Sequence, residues 1–378
     1  MPSRTISPLV RLSLFLAAAA CAPDRVTAPA SVAPSIPAQS TAAARAATVT
    51  VFATGFQYPR GLTFAPNGDL YVAEAGSGGS HSTTAAQCAQ VVPPTGPYTN
   101  GPTSRISRVD RHGNVSIVAT GFPSGQNGFG DVLGVADVAF VGNELYALVS
   151  GGGCSHGSPN VPAGIARVST SGSWTMVADL SAWQAANPVA NPEPDDFEPD
   201  GSWYSLLSAG NKLLAVEPNH GEIVKIDPKS GVVSRVIDIS ASQGHIVPTV
   251  IAKREGALYI GNLGTFPVIP GSEKILRLSR SGELSLFAGG FTTILGIDFD
   301  RKGQLYVLES TTAPGFPTPG TGRVVRVDRH GNRTVIADGL FLPTALKVGP
   351  DGALYVSNKG FGPPQPGEIL RITLPGAD

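Results

Sequence analysis

Five side chains able to ligate a metal or hydrogen-bond a ligand recur at one place in a repeating pattern. Glu74, Glu217, Asn262, Glu309 and Asn358 each end a short apolar run: Leu70-Tyr-Val-Ala-Glu74, Leu213-Leu-Ala-Val-Glu217, Leu258-Tyr-Ile-Gly-Asn262, Leu305-Tyr-Val-Leu-Glu309 and Leu354-Tyr-Val-Ser-Asn358. A sixth run, Leu145-Tyr-Ala-Leu-Val149, ends in Val. Oxygen donors gathered from several repeats suit Ca²⁺, which takes roughly six to eight of them, with Glu74, Glu217 and Glu309 as the anionic set. The same ring can hold a polar organic ligand or water. Alternatively, each side chain caps the turn that follows it through its own backbone.

Other reactive groups lie between the runs. The segment Asn187–Ser205 is the most acidic stretch, with Glu193, Asp195, Asp196, Glu198 and Asp200. It reads as a solvated loop or as a lip over a binding face. Cys88 and Cys154 stand in loops of the first two repeats, and in an exported chain two such cysteines pair. His81 and His156 share those loops, so a Cys nucleophile with a His base is the alternative. His112 and His330 belong to two Asp-Arg-His-Gly-Asn turns and are expected at the surface. His220 and His245 are single histidines in polar loops.

These residues need elements to hold them, and the chain supplies a repeat. From Gly296-Ile-Asp-Phe299 it passes through Leu305–Glu309 and Gly322-Arg-Val-Val-Arg-Val-Asp328 to Arg333-Thr-Val-Ile-Ala-Asp338. Each run is β-branched and bounded by Gly, Asp or Asn, as antiparallel strands with tight turns are. Four strands in roughly 45 residues make one propeller blade. Six copies follow, the last ending at Ile372-Thr-Leu-Pro375 without an outer strand. Val49-Thr-Val-Phe-Ala-Thr-Gly55 matches the outer strand Val115–Gly121 and is expected to complete blade six, closing the ring and removing its open edge. The fold class is therefore all-β, a six-bladed β-propeller over 49–375.

In such a ring the long loops Ala75–Ser104, Ser150–Ala163, Leu263–Glu273, Ser310–Thr321 and Lys359–Gly367 share one face, the expected functional face. Nearest the axis, at the start of each inner strand, come Arg60, Asp137, Ser205, Thr249, Gly296 and Thr344.

Ahead of the propeller, Arg4 and Arg11 precede the apolar Leu12–Ala20 and then Cys21. This reads as an export leader over 1–21 with Cys21 acylated, giving a lipoprotein of the periplasm or outer membrane; cleavage near Ala20 or Ala22 to a soluble protein is the alternative. Residues 22–48 are Ala, Pro, Ser and Thr, a flexible tether. The formal charge of −1 offers no basic field for nucleic acid. No run of ~18 apolar residues follows the leader, so the membrane is reached only through a lipid anchor. A monomer is expected.

The chain resembles the ScyD/ScyE family, named from scytonemin pigment gene clusters, over about Val49 to Ile372. Asp200-Gly-Ser-Trp-Tyr-Ser-Leu206, Val247-Pro-Thr-Val250, Leu258-Tyr-Ile-Gly-Asn-Leu-Gly-Thr-Phe-Pro267 and Gly352-Ala-Leu-Tyr-Val-Ser-Asn-Lys-Gly360 carry the resemblance. It implies export and a six-bladed propeller, and supplies no reaction. The family's Asp-Ser-Asn-Pro-Tyr-Gly-Leu pattern departs here to Asp-Gly-Ser-Trp-Tyr-Ser-Leu. Two functions compete. One is a binding or scaffold module using the long-loop face, with a small molecule or protein as partner. The other is a Ca²⁺-dependent lactonase or esterase resembling gluconolactonase and paraoxonase-like propellers, which place Glu, Asn and Asp around the axis. The axial set here has one carboxylate and one cation, which counts against the hydrolase.

Overall fold

The computed structural model describes residues 47–374. The expected leader, Cys21 and most of the tether lie outside the described residues. Six antiparallel sheets form a ring in chain order, each inner strand packing on the next and the last on the first. Blade one holds Pro59–Phe64, Leu70–Glu74, Thr99–Val109 and Val115–Gln126, plus a fifth strand, Val132–Leu133, that the sequence did not suggest. Blade two runs from Val135–Val141 to Trp174–Asp179, and blade three from Ser205–Ala209 to Val233–Asp238. Blade four spans Pro248–Arg254 to Leu284–Phe291, and blade five Ile294–Phe299 to Arg333–Leu340. Blade six takes Ala345–Val348, Leu354–Asn358 and Gly367–Thr373 from the C-terminal end and Thr48–Phe56 from the N-terminal end. The closing pair is in register from Thr48 opposite Thr373 to Phe56 opposite Gly367, as the sequence predicts.

The hydrophobic core lies in the gaps between blades. Tyr146, Leu148, Ile165, Trp203, Leu206, Leu213 and Ile226 fill the gap between blades two and three. Tyr306, Leu308, Leu346, Leu354 and Ile372 fill that between five and six. Strand alternation explains this, because successive side chains face opposite neighbours and both faces are covered. In blades five and six the recurring Tyr packs its ring in the gap and sends its hydroxyl to a turn carboxylate. Tyr306 donates to Asp300 at 3.2 Å and Tyr355 to Asp351 at 3.1 Å.

The two Asp-Arg-His-Gly-Asn turns are built alike. The Asp110 carboxylate accepts the His112 and Asn114 amides at 2.8 and 2.9 Å, and Asp328 repeats this with His330 and Asn332. Gly113 and Gly331 adopt φ of 86° and 84°, a region that glycine occupies without strain. Both histidines are exposed on the short-turn face, as expected.

Candidate functional site

The ring of Glu74, Glu217, Asn262, Glu309 and Asn358 sits behind the long-loop mouth and joins the blades. All five side chains are buried. Each grips the segment that brings the chain into its own blade. Glu74 accepts the Gln57 amide at 2.6 Å, Glu217 the Ser202 amide at 2.8 Å, Glu309 the Thr292 amide at 2.7 Å and Asn358 the Phe341 amide at 2.9 Å. Asn262 instead donates to the Ile246 carbonyl at 2.9 Å. Beside the gripped residue stands one with positive φ: Tyr58 at 49°, Gly201 at 74°, Val247 at 57°, Thr293 at 40° and Leu342 at 41°. For Tyr, Val, Thr and Leu that conformation is strained and persists only where the surroundings enforce it. The third strands supply further partners: Arg105 to Glu74 at 2.8 Å, Arg323 to Glu309, and the Lys274 amide to Asn262 at 2.9 Å. The oxygens are spent on amides of the entering segments and on Arg side chains rather than on the turns that follow; of the five, Glu217 alone also caps its following turn, accepting the Asn219 and His220 amides.

The axial residues divide. Asp137 accepts the Leu206 amide of the next blade at 2.7 Å and its neighbour's, Val138, at 2.8 Å. Burial pushes its carboxyl up to about 7 against the lowering effect of these amides. Gly61 sits so close that a Cβ there would fall 1.9 Å from an Asp137 oxygen, which requires glycine. The Thr249 hydroxyl donates to the Ile294 carbonyl and the Thr344 hydroxyl to the Pro59 carbonyl, both at 2.6 Å across blade boundaries. Ser205 starts the inner strand of blade three and, with Gly296, lines the tunnel. Arg60 alone among the axial set reaches the mouth with its charge. Its Nη2 donates to Asp131 at 2.9 Å and to the Val132 carbonyl at 2.6 Å.

Around Arg60 lies a cavity of about 170 Å³ walled by Tyr98, Asp131, Ser150, Glu198, Trp203 and Tyr204 among others. Three of these come from loops. Tyr98 opens the third strand of blade one, Asp131 belongs to the extra hairpin of that blade, and Glu198 is supplied by the acidic segment. The acidic segment is thus partly the expected lip. Glu198 and Asp200 turn inward, while Asp196 meets His245 at 2.9 Å. His220 is buried, stacked on Phe197, with Nε2 at 3.1 Å from the Glu198 carbonyl.

Tyr98 donates to Glu198 Oε1 at 3.2 Å, and His156 Nε2 lies 3.4 Å from Glu198 Oε2. His156 is fully buried and its Nδ1 lies 2.8 Å from the Gly152 carbonyl. Burial works to lower the imidazole pKa, but Glu198 and Asp200 outweigh it and hold His156 above its ordinary value. Burial and Glu198 push the Tyr98 phenol well up, and burial lifts Tyr204 to about 12. Both phenols are therefore protonated donors at neutral pH. Sequence reasoning missed Tyr98, Asp131 and Tyr204, whose loops carry no repeat signal.

Cys88 and Cys154 form a disulfide across blades one and two. Both thiols are consumed, so the Cys–His nucleophile has no basis. The bond anchors the short helical turn Cys154–His156 that presents His156. Asp200 accepts the Ser155 amide and hydroxyl at 2.7 and 2.6 Å, tying in blade three. His81 Nδ1 lies 2.6 Å from the Gly157 carbonyl, a loop-to-loop contact.

Tyr204 lines this cavity and a second one beneath it. Among the described residues, no three His, Cys, Asp or Glu side chains converge as a metal site would require, and no helix is long and apolar enough to cross a membrane.

No family model matches the chain, and no curated protein matches it by sequence. Solved structures resemble it in fold. A calcium-binding protein, regucalcin, from Agrobacterium tumefaciens is 15% identical with a TM-score of 0.53, covering 88% of this chain and 95% of its own. A protein classed provisionally as a gluconolactonase is 14% identical, TM-score 0.51, with coverages of 87% and 93%. An auxiliary nutrient-binding protein from Bacteroides thetaiotaomicron is 9% identical, TM-score 0.52, with coverages of 85% and 70%. What these likenesses establish is the architecture: a six-bladed β-propeller related in fold to gluconolactonase-like propellers.

Proposed function

We propose that this chain is an exported ligand-binding propeller of the ScyD/ScyE kind, whose long-loop mouth takes a small, uncharged, polar organic molecule. The observation that carries this is the charge balance of the mouth. Arg60 is paired with Asp131, and Glu198 with His156 and Tyr98, so an ion entering would meet a charge already answered. Hydrogen-bonding groups remain, because the Ser150 hydroxyl is buried without a hydrogen bond among the described residues. A neutral ligand with hydroxyl or carbonyl groups satisfies them without stranding a charge. The disulfide supports export; acylation at Cys21, residence in the periplasm or outer membrane and a monomeric state belong to the same proposal.

The second reading, a Ca²⁺-dependent lactonase or esterase, is favoured by the fold likeness to regucalcin and gluconolactonase. The residues present do not fit the ion. The Glu and Asn oxygens hold main-chain amides, and the axial Thr hydroxyls are donors to carbonyls.

One preparation tests both. Metal content by elemental analysis, with thermal unfolding in Ca²⁺ and in chelator, separates them first. Stoichiometric metal and a melting temperature that falls on chelation would overturn the binding reading. A screen of neutral polyols, sugars and lactones by thermal shift then seeks a ligand whose stabilisation disappears in Glu198→Gln.

A further inference from the structure

Loops 263–272 and 310–321, of blades four and five, stand beside the mouth, whose wall includes Leu263. They are clamped together: the Val268 amide donates to the Gly315 carbonyl at 2.6 Å, and the Gly315 amide to the Val268 carbonyl at 3.0 Å. Out of this clamp project Phe266, Ile269 and Phe316, which are 49%, 66% and 74% exposed. The two Phe rings lie within 17° of parallel with centroids 6.5 Å apart, too far to cover one another. Neither loop contains an Asp, Glu, Lys, Arg or His. An exposed apolar cluster held in place this way marks a contact surface.

What it contacts follows from where the polar groups of the loops point. Pro267, Pro270, Pro314, Pro317 and Pro319 have no amide hydrogen to satisfy. The Gly271 and Thr318 amides donate to the Thr292 and Thr311 hydroxyls at 2.9 and 3.1 Å. The hydroxyls of Ser272, Thr312, Thr318 and Thr321 donate to the Ile269, Thr321, Phe316 and Thr318 carbonyls of the same loops, at 2.7, 2.8, 3.1 and 2.8 Å. A sugar or a polar protein face therefore finds few free partners here. Backbone whose hydrogen bonds are met internally is what a hydrocarbon medium demands.

We propose that these two loops dock on a lipid bilayer, seating Phe266, Ile269 and Phe316 at the boundary between headgroups and acyl chains. Because the loops are uncharged, they match zwitterionic headgroups and gain nothing from anionic ones. Asp195, exposed on the acidic lip of the same face, stays in water, so the contact is confined to the side of blades four and five. Acylation at Cys21, proposed above, would hold the ring near a bilayer through residues 22–46; the loops are a second contact that does not need it. The docking is independent of what the mouth binds.

The test is co-sedimentation with phosphatidylcholine vesicles, using the chain from Ala22 to Asp378, which keeps every strand of the closed ring and lacks Cys21. Failure here is thus separate from any failure of acylation. The unsubstituted chain is expected to bind, with affinity steady within about twofold between low and high salt and with or without added phosphatidylglycerol. Phe316→Ser is expected to weaken binding about tenfold, and the triple change Phe266→Ser, Ile269→Ser and Phe316→Ser at least about a hundredfold. Leu286→Ser is expected to change nothing, since Leu286 is 65% exposed but lies on the outer strand of blade four. Phe316→Trp is expected to bind and to shift its emission to the blue on vesicle addition, which the unsubstituted chain does not do. Circular dichroism and melting temperature confirm that each variant folds; Phe316→Trp keeps the test open if the triple variant does not. The proposal is overturned if the unsubstituted chain does not bind vesicles, if the folded triple variant binds as well, or if binding requires phosphatidylglycerol or vanishes in high salt. Self-association that the triple variant loses, without vesicle binding, would assign the loops to a second copy and overturn it equally.

Discussion

The Tyr204 hydroxyl meets the Thr344 carbonyl at 2.9 Å, joining the segment that leads into blade three to the one that leads into blade six. Those blades stand opposite each other in a six-membered ring, so a single side chain crosses the axis. It gives the mouth cavity a floor and the lower cavity a roof. Tyr204→Phe keeps the ring and removes the bond, leaving the carbonyl without its donor. A loss of about 1–2 kcal/mol in urea unfolding is expected, with the fold intact by circular dichroism.

Glu309 bridges the Thr292 amide and Arg323 and is completely buried. Glu309→Gln keeps one acceptor and loses the charge, at a cost of about 2 kcal/mol, since hydrogen bonds to charged groups are the stronger ones. Arg323 is 36% exposed, which limits the penalty of leaving it unpaired. The readout is the urea midpoint. A variant as stable as wild type would contradict the bracing role of the ring and return Glu309 to the list of ligand candidates.

Cys88 and Cys154 are 66 residues apart. Cross-linking a loop of that length is worth about 4 kcal/mol in the chain-entropy account. Paired Cys88→Ser and Cys154→Ser changes should lower the melting temperature and leave far-ultraviolet dichroism unaltered. Because the bond anchors the turn that presents His156, mouth ligands found by screening should bind more weakly as well.

Stability should peak on the acid side of neutrality. Burial lifts Asp137 from 3.8, and Glu222 from 4.5, up to about 7. The folded protein therefore holds these protons more tightly than the unfolded chain, and stability drains as pH rises from about 4 to about 7. His156, held above 6.5, acts in the same direction as pH climbs through its folded value. Asp110 and Asp328, held below 3.8 by Asn114 and Asn332, act oppositely and lose their contribution as pH falls below 3.8. Urea midpoints are expected to be higher at pH 5 than at pH 8. Asp137→Asn should narrow that difference; an unchanged difference would remove Asp137 as a cause.

Deleting the strand Thr48–Phe56 uncovers the edge of Gly367–Thr373. An open edge of that length templates association. Size-exclusion chromatography should show aggregates where the full chain elutes as one species.

The strand repeat, the six blades, the closure by the N-terminal strand and the Cys88–Cys154 bond were all legible from the residues. They rest on local signals: β-branched alternation, Gly and Asp at turns, and a matching copy of a missing strand. The equivalence of Glu74, Glu217, Asn262, Glu309 and Asn358 was legible too, but not what they grip, because the amides they accept lie on segments 15 to 17 residues away. The mouth was the hardest part to read. Arg60, Tyr98, Asp131, Glu198 and Tyr204 come from two blades and four separate stretches of chain, none with a common spacing. Sequence determines which strands form and that they close, since each blade is specified by its own alternation and turns. Only the tertiary structure decides which loop side chains meet at the axis, because that depends on how the ring brings distant loops together.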